Sequence, residues 1–480
     1  MTETTSKRTL GLLDTTLIVA GSMIGSGIFI VSSDMARTVG SPAWLLICWI
    51  ITGLITVFAA LSYGELAGMM PQAGGQYVYL KKAYNPLIAF LYGWTVFLVI
   101  QTGVIAAVAV AFAKYVGVFF PIFNETNVLL EIGSFKLKNA QLLAIVCIAL
   151  LTWLNIQGIQ YGKMIQRVFT SAKLIALFGL IGIGLYIGFT SDVFSQNFSD
   201  PWKAVQQNEV IVNGVSQGFN GTEISGMLLL AFVGVAMIGS LFSSDAWNNV
   251  TFIAAEIKEP HKNIPLGLFF GTLIVTVIYV LANIAYLCLL PMHDIQFAAQ
   301  DRVGAAAMSV VFSGNTATYL MAGLIIVSTF GCNNGLILAG SRLFQAMSVD
   351  GLFFKNAAKL NDKGVPANSL ILQGVWASAL CLSGSYGDLL EYSTFASLIF
   401  YMVTIAAIFI LRKKEPLTER PYKAFGYPII PALYILITLA ICIDLLYFKT
   451  RNTGIGLLIV ALGIPVYYFT VSRKNAEKVN

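Results

Sequence analysis

Gly21-Ser22-Met23-Ile24-Gly25-Ser26-Gly27 lies in the middle of the first long apolar segment, Leu12 to Val31, where an ordinary membrane helix would carry leucine. Each glycine costs about 1 kcal/mol of helix propensity relative to alanine, so the helix is expected to come apart there. A break at membrane depth frees N–H and C=O groups, which are tolerated only when buried in protein or lining a polar cavity. The N–H groups of Ser26 and Gly27 would open a second half-helix, whose positive end suits a carboxylate. Carbonyls near Met23 would suit an ammonium group, and the pair describes a receptor for an amino acid. The competing reading is close helix packing, since Gly21 and Gly25 have the small-xxx-small spacing of a helix contact.

The rest of the chain decides between them. Of its 480 residues 57% are hydrophobic and 11% charged, and the mean hydropathy is +0.78, values that belong to an integral membrane protein. Apolar segments of spanning length fall at 12–33, 42–69, 86–115, 140–158, 164–189, 225–255, 265–290, 316–346, 368–386, 391–411, 428–448 and 453–472, which predicts twelve spans. Lys7 and Arg8 precede a run too long for a cleavable signal. If both termini are cytoplasmic, most of the 29 lysines and arginines fall on the inner side, as the positive-inside rule requires. The net charge of +6 then reflects topology and anionic lipid headgroups, and no nucleic-acid partner is expected. Cys48, Cys147, Cys288, Cys332, Cys381 and Cys442 all fall within spans with no CxxC pair, and His261 and His293 are the only histidines. Neither set has metal-site spacing, so no metal and no cofactor is expected.

The sixth segment repeats the oddity of the first. Gly239-Ser240-Leu241-Phe242-Ser243-Ser244-Asp245-Ala246-Trp247-Asn248-Asn249 crowds small and polar residues into its centre, 218 residues after Gly21. Interrupted hydrophobic segments at matching positions of two halves mark a transporter's central site. Asp245 stands where the half-helix beginning at Ala246 needs an N-cap, and equally where a ligand ammonium would look for a partner. Lys173 lies about two turns into the fifth segment, a depth at which snorkelling is strained and a partner is required. Asn333 and Asn334, adjacent in the eighth segment, are read first as helix-to-helix hydrogen bonds.

Other stretches read as scaffold. Pro71 to Gly75 is expected to form a re-entrant or hairpin loop, and Glu65 to pair with a loop lysine. The polar stretch Ser191 to Thr222 reads as a mobile outer loop, and Arg412, Lys413, Lys414 and Arg420 as a solvated, lipid-facing patch. Sequons at Asn124, Asn197 and Asn220 mean glycans only in a secretory host.

The first motif, Gly21 to Phe29, resembles that of the amino acid, polyamine and organocation (APC) transporter superfamily. Ser243 to Asn248 is similar to the sixth-span break of bacterial members. Phe330 to Gly335, Ser341-Arg342-Leu343-Phe344 and Arg420-Pro421-Tyr422 resemble the L-type amino acid transporter branch. The resemblance implies an all-α protein with the LeuT fold: a five-plus-five inverted repeat over 1–190 and 220–411, two further helices in 412–480, and spans one and six broken at mid-membrane, all in one transmembrane domain.

It also implies a substrate site of Ser22, Met23, Ile24, Gly25, Ser26, Gly27, Phe242, Ser243 and Asp245. The carboxylate would meet Ser26 and Gly27, the ammonium would meet the carbonyls of Met23, Phe242 and Asp245, and Phe242 would be a gate. Lys173 matches the lysine that substitutes for a sodium ion in this branch, which implies sodium-independent exchange. Trp247, Asn248, Asn333 and Asn334 are candidates for the pocket or for helix contacts. Ser244 and Ala246 depart from the family's tyrosine and glycine, which bears on pocket width. The loop between spans three and four has no cysteine, so no disulfide-linked heavy chain is expected.

The function expected is alternating-access exchange of neutral amino acids at the plasma membrane. Proton-coupled symport and transport of cationic amino acids or polyamines are the alternatives within the fold. An ATP-driven pump lacks its phosphate loop. A membrane enzyme would need clustered His, Asp or Cys within the spans. A nutrient sensor would need a signalling tail.

Overall fold

The computed structural model describes residues 8–479 apart from 125–126, 133–134, 189, 213–214, 313–314 and 384–385; Lys7 lies outside them. Ten described helices are long and apolar enough to cross a membrane, and two shorter apolar helices, Leu12–Met23 and Ala367–Leu382, complete the expected twelve. The architecture is the helical five-plus-five arrangement with two added spans.

The helix ends follow from local chemistry. Span two, Pro42–Met69, starts with Pro42 in its first turn and Ser41 accepting from the Trp44 N–H at 3.3 Å. Span three begins the same way, with Pro86 next to Asn85, which accepts from the Ile88 N–H at 3.0 Å. Both use the paired rule that proline tolerates the first turn while a short polar side chain satisfies an orphan N–H. Span three is interrupted by a π-helical turn at Val96–Ile100, where the Thr102 hydroxyl donates to the Phe97 carbonyl at 2.6 Å.

Small residues bring the broken elements close to their supports. A Cβ on Gly271 of span seven, Pro260–Leu289, would lie 2.5 Å from the Val19 side chain of span one. Packing this close replaces the hydrophobic drive that lipid cannot supply.

Consecutive spans alternate in direction, so the connecting segments fall on two faces: one carries most of the basic residues and the other the two hairpins. The first hairpin pairs Val128–Ile132 with Phe135–Lys138, and the second pairs Ala204–Val212 with Val215–Ile224. The stretch 191–222, expected as a loose loop, is therefore a short helix, Val193–Asn197, followed by a strand pair. Its anchor is specific: the Val205 N–H donates to the Gly40 carbonyl at 3.1 Å, and Phe219 packs on Arg37 and Phe297.

On the basic face, Pro71–Gly75 turns into a short helix, Gln76–Ala83, whose Gln76, Tyr77 and Tyr79 are buried. Glu65 pairs with arginines where a loop lysine was expected. The Arg412 guanidinium donates to both of its oxygens, at 2.9 and 2.6 Å, Arg420 stands 3.3 Å away, and the Ala424 N–H donates at 2.7 Å. Arg412 and Arg420 thus fold inward where a solvated patch was expected, because an unpaired buried carboxylate is far costlier than an ordered arginine. The same face is closed by ion pairs Glu256–Arg342 and Asp14–Arg167, and by backbone bonds from Thr9 and Leu10 to Glu256. The opposite face holds a cavity of about 440 Å³ that runs down to Ile30, Val31, Ile238 and Gly239.

Candidate functional site

Span one stops at Met23. The last α-helical bond is from the Ile24 N–H to Ala20, the chain extends at Ile24, and a single 3-10 turn at Gly27–Phe29 leads into Val31–Val39. Span six breaks in the matching place: Gly226–Ser243 ends, Ala246 adopts a left-handed conformation, and a 3-10 segment runs over Trp247–Glu256. The breaks touch, since a Cβ on Gly27 would lie 2.1 Å from the Ser243 hydroxyl.

The carbonyls freed in span one are satisfied one by one. The Lys173 ammonium donates to Gly21 at 2.8 Å, Ile24 at 2.6 Å and Ser328 at 3.2 Å. Its three protons are then all used, and the charge sits on the negative end of the half-helix. The Cys332 thiol donates to Ser22 at 3.1 Å and the Ser328 hydroxyl lies 3.1 Å from the Gly25 carbonyl. The Met23 carbonyl, expected to face an ammonium group, stands instead 3.1 Å from the Tyr279 hydroxyl, which is also 3.0 Å from the Ser243 carbonyl. Tyr279 thereby ties the two breaks together from span seven. In contrast, the N–H groups of Gly25 and Gly27 have no acceptor among the described residues. The first break therefore presents donors and keeps its acceptors to itself.

In the second break the Phe242 carbonyl accepts from the Asp245 N–H at 3.1 Å, whereas the carbonyls of Ser244 and Asp245 have no donor among the described residues. Phe242 is buried one turn beyond Gly239 at the floor of the large cavity. Asp245 does not cap the helix that follows. Its carboxyl group lies against the hydroxyls of Tyr401 and, at 3.4 Å, Ser397, both from span ten, Tyr386–Lys414. Two small cavities, of about 10 and 20 Å³, flank it.

The flanking candidates divide. Trp247 packs edge-on against Tyr63, with ring centroids 4.7 Å apart. Asn248 donates to Gln76 at 2.9 Å. Asn334 makes the helix-to-helix bonds expected of it, donating to Gly162 at 3.0 Å and accepting from Asn155 at 3.0 Å. Asn333 is fully buried, and both ends of its amide lack a partner among the described residues.

Sequence reasoning missed Tyr279, Ser328 and Cys332. A signal for the first was present: Tyr279, Asn283 and Tyr286 repeat at helical spacing on one face of span seven. All three face span one, Asn283 accepting from Ser32 at 2.6 Å and Tyr286 donating to Ile28 at 3.3 Å. Among the described residues no cluster could hold a metal ion.

Comparison with known proteins finds the amino acid permease family over residues 10–469. Large neutral amino acids transporter small subunit 2 of Homo sapiens is 30% identical over 98% of this chain and 82% of its own length. The b(0,+)-type amino acid transporter 1 of Mus musculus is 28% identical over 91% of the chain and 82% of its own. The Asc-type amino acid transporter 1 of Homo sapiens is 27% identical over 98% and 84%.

Proposed function

The chain belongs to the amino acid permease family, and on that premise we propose that it exchanges neutral amino acids across the plasma membrane by alternating access, without sodium. One observation carries the reading: the first break keeps donors at Gly25 and Gly27 while every carbonyl from Gly21 to Gly25 is already engaged. Such a break receives a carboxylate. The ammonium end goes to the open carbonyls of Ser244 and Asp245, one break away. Ser22 to Gly27 and Phe242 to Asp245 form the substrate site in this reading, with Phe242 as the gate towards the large cavity.

Lys173 supplies a fixed positive charge that spans carbonyls of one and eight, and a second cation bound there would be repelled. Sodium independence follows. Residues 1–190 and 220–411 act as the two repeats, with 412–480 as an addition. The basic face lies in the cytoplasm, by the charge bias, so the chain faces outward with its inner side closed. All six cysteines are buried and unpaired, which supports a transporter that needs no disulfide-bonded partner, although one of its relatives is named as a small subunit. The breaks serve binding, and no catalytic role is assigned to them.

A countertransport assay in liposomes tests the exchange. Labelled amino acid should enter only when unlabelled amino acid is inside, with no response to a sodium gradient. Uptake into empty vesicles at the same rate overturns it.

A further inference from the structure

The acids buried within the spans are treated unequally. Glu65, Glu256 and Asp14 each have an arginine within ion-pair distance. Asp245 is buried at the helix break, and among the described residues no ammonium or guanidinium group reaches it. Its neighbours are the hydroxyls of Tyr401 and Ser397 from span ten and the backbone N–H of Ala246, with Tyr92 of span three and Tyr434 of span eleven lining the small cavities beside it. Tyr63 of span two packs edge-on against Tyr401, and Gln76 approaches from the short helix. An isolated carboxylate in such surroundings carries a heavy desolvation cost.

The hydrogen-bond directions say how that cost is avoided. The Phe400 carbonyl can only accept, and the Gln76 amide lies 3.1 Å from it, so the Gln76 nitrogen points there and also donates to Thr404 at 2.8 Å. The Gln76 oxygen then accepts from the Asn248 nitrogen at 2.9 Å, which turns the Asn248 oxygen towards the Tyr401 hydroxyl at 3.2 Å. The opposite set of amide orientations would press two carbonyl oxygens together at Phe400. Tyr401 owns one proton. With that proton directed to Asn248, the contact between Tyr401 and Asp245 is a hydrogen bond only if Asp245 supplies the other proton. Every link in the chain from Asp245 through Tyr401, Asn248 and Gln76 to Phe400 is satisfied by a neutral carboxylic acid, and one link fails with a carboxylate.

We propose that Asp245 is a proton-binding site, occupied in the closed-inside state seen here, and that the Asp245–Tyr401–Asn248–Gln76 chain holds the proton. The proton adds to a carboxylate oxygen to give the acid, whose O–H donates to the Tyr401 oxygen. The cavity of about 10 Å³ that touches Asp245, Asn249, Gln76 and Gln101 is roughly the size of one water. The inference does not depend on which substrate is carried, since its ligand is the proton.

Infrared difference spectroscopy on the purified, lipid-reconstituted chain tests it. At about pH 7, far above the ordinary aspartate range, the wild type minus Asp245→Asn difference should contain a protonated carboxyl stretch that shifts in deuterium oxide. Should Asp245→Asn fail to fold, Tyr401→Phe replaces it, and the carboxyl stretch should move to higher frequency as its hydrogen bond is lost. No carboxyl band in the first difference, or no movement in the second, overturns the proposal.

Discussion

The Lys173 ammonium lies 2.6 Å from the Ile24 carbonyl oxygen, so the mid-membrane break of span one is closed by a charge from span five. A helix cut open in a bilayer must have its acceptors filled, and one lysine fills two of them, Gly21 and Ile24, while its third proton goes to Ser328 of span eight. Lys173→Ala is expected to reduce amino acid exchange at least tenfold, because a single hydrogen bond to a charged group is worth about 1.5 kcal/mol or more. Exchange rates in liposomes measure this, alongside size-exclusion profiles as a check on folding. Unchanged rates would make Lys173 a side chain that merely reaches for headgroups.

Tyr279→Phe removes the one hydroxyl that stands between the Met23 and Ser243 carbonyls. Loss of a neutral buried hydrogen bond costs about 1 kcal/mol, and the two breaks lose a shared anchor. The substrate concentration needed for half-maximal exchange should rise about fivefold, with protein yield preserved. Titration of substrate against thermal stability reads the same change without transport.

Gly27→Ala places a methyl group on the Ser243 hydroxyl. Overpacking of this kind typically costs about 1–3 kcal/mol, and here it separates the breaks at the point where they meet. Exchange should fall sharply in the single variant and recover in part when Ser243→Gly is added. Equal losses in the single and double variants would mean that the contact is not what limits the site.

Asn197 sits in a sequon but has no free amide. Its nitrogen donates to Leu287 at 2.8 Å and Leu290 at 2.9 Å, and its oxygen accepts from the Met292 N–H at 2.8 Å. Produced in a eukaryotic secretory host, the chain should carry no glycan at Asn197, and Asn197→Gln should leave its gel mobility unchanged. Asn220, exposed on its strand, is the control position in the same experiment.

The two breaks were legible because glycine, serine and aspartate in the middle of an apolar run contradict the demands of a membrane helix locally. Lys173 was legible for the same reason. Their partners were not, because they come from distant spans: Cys332 meets Ser22 and Tyr279 meets Met23 across hundreds of residues. The Met23 carbonyl was assigned to a ligand because nothing near it in sequence could fill it. Glu65 was placed correctly as an ion-pair partner, but the identity of its arginines depends on how the segment after span ten folds back. The second hairpin was missed because polar residues such as Gln206, Gln207 and Asn208 lower strand propensity, while the seat at Gly40 that fixes it lies in another part of the chain.

The π-helical turn at Val96–Ile100 has a geometric consequence for this pocket. It adds one residue to span three between Tyr92 on one side and Gln101 and Val104 on the other, all of which border the same small cavity beside Asp245. Removing a single residue from that turn would leave composition and hydropathy almost untouched, yet it would rotate one half of the span by about 100° against the other. Angular phase along span three, more than the identity of any one side chain, sets which atoms look at the centre of the protein.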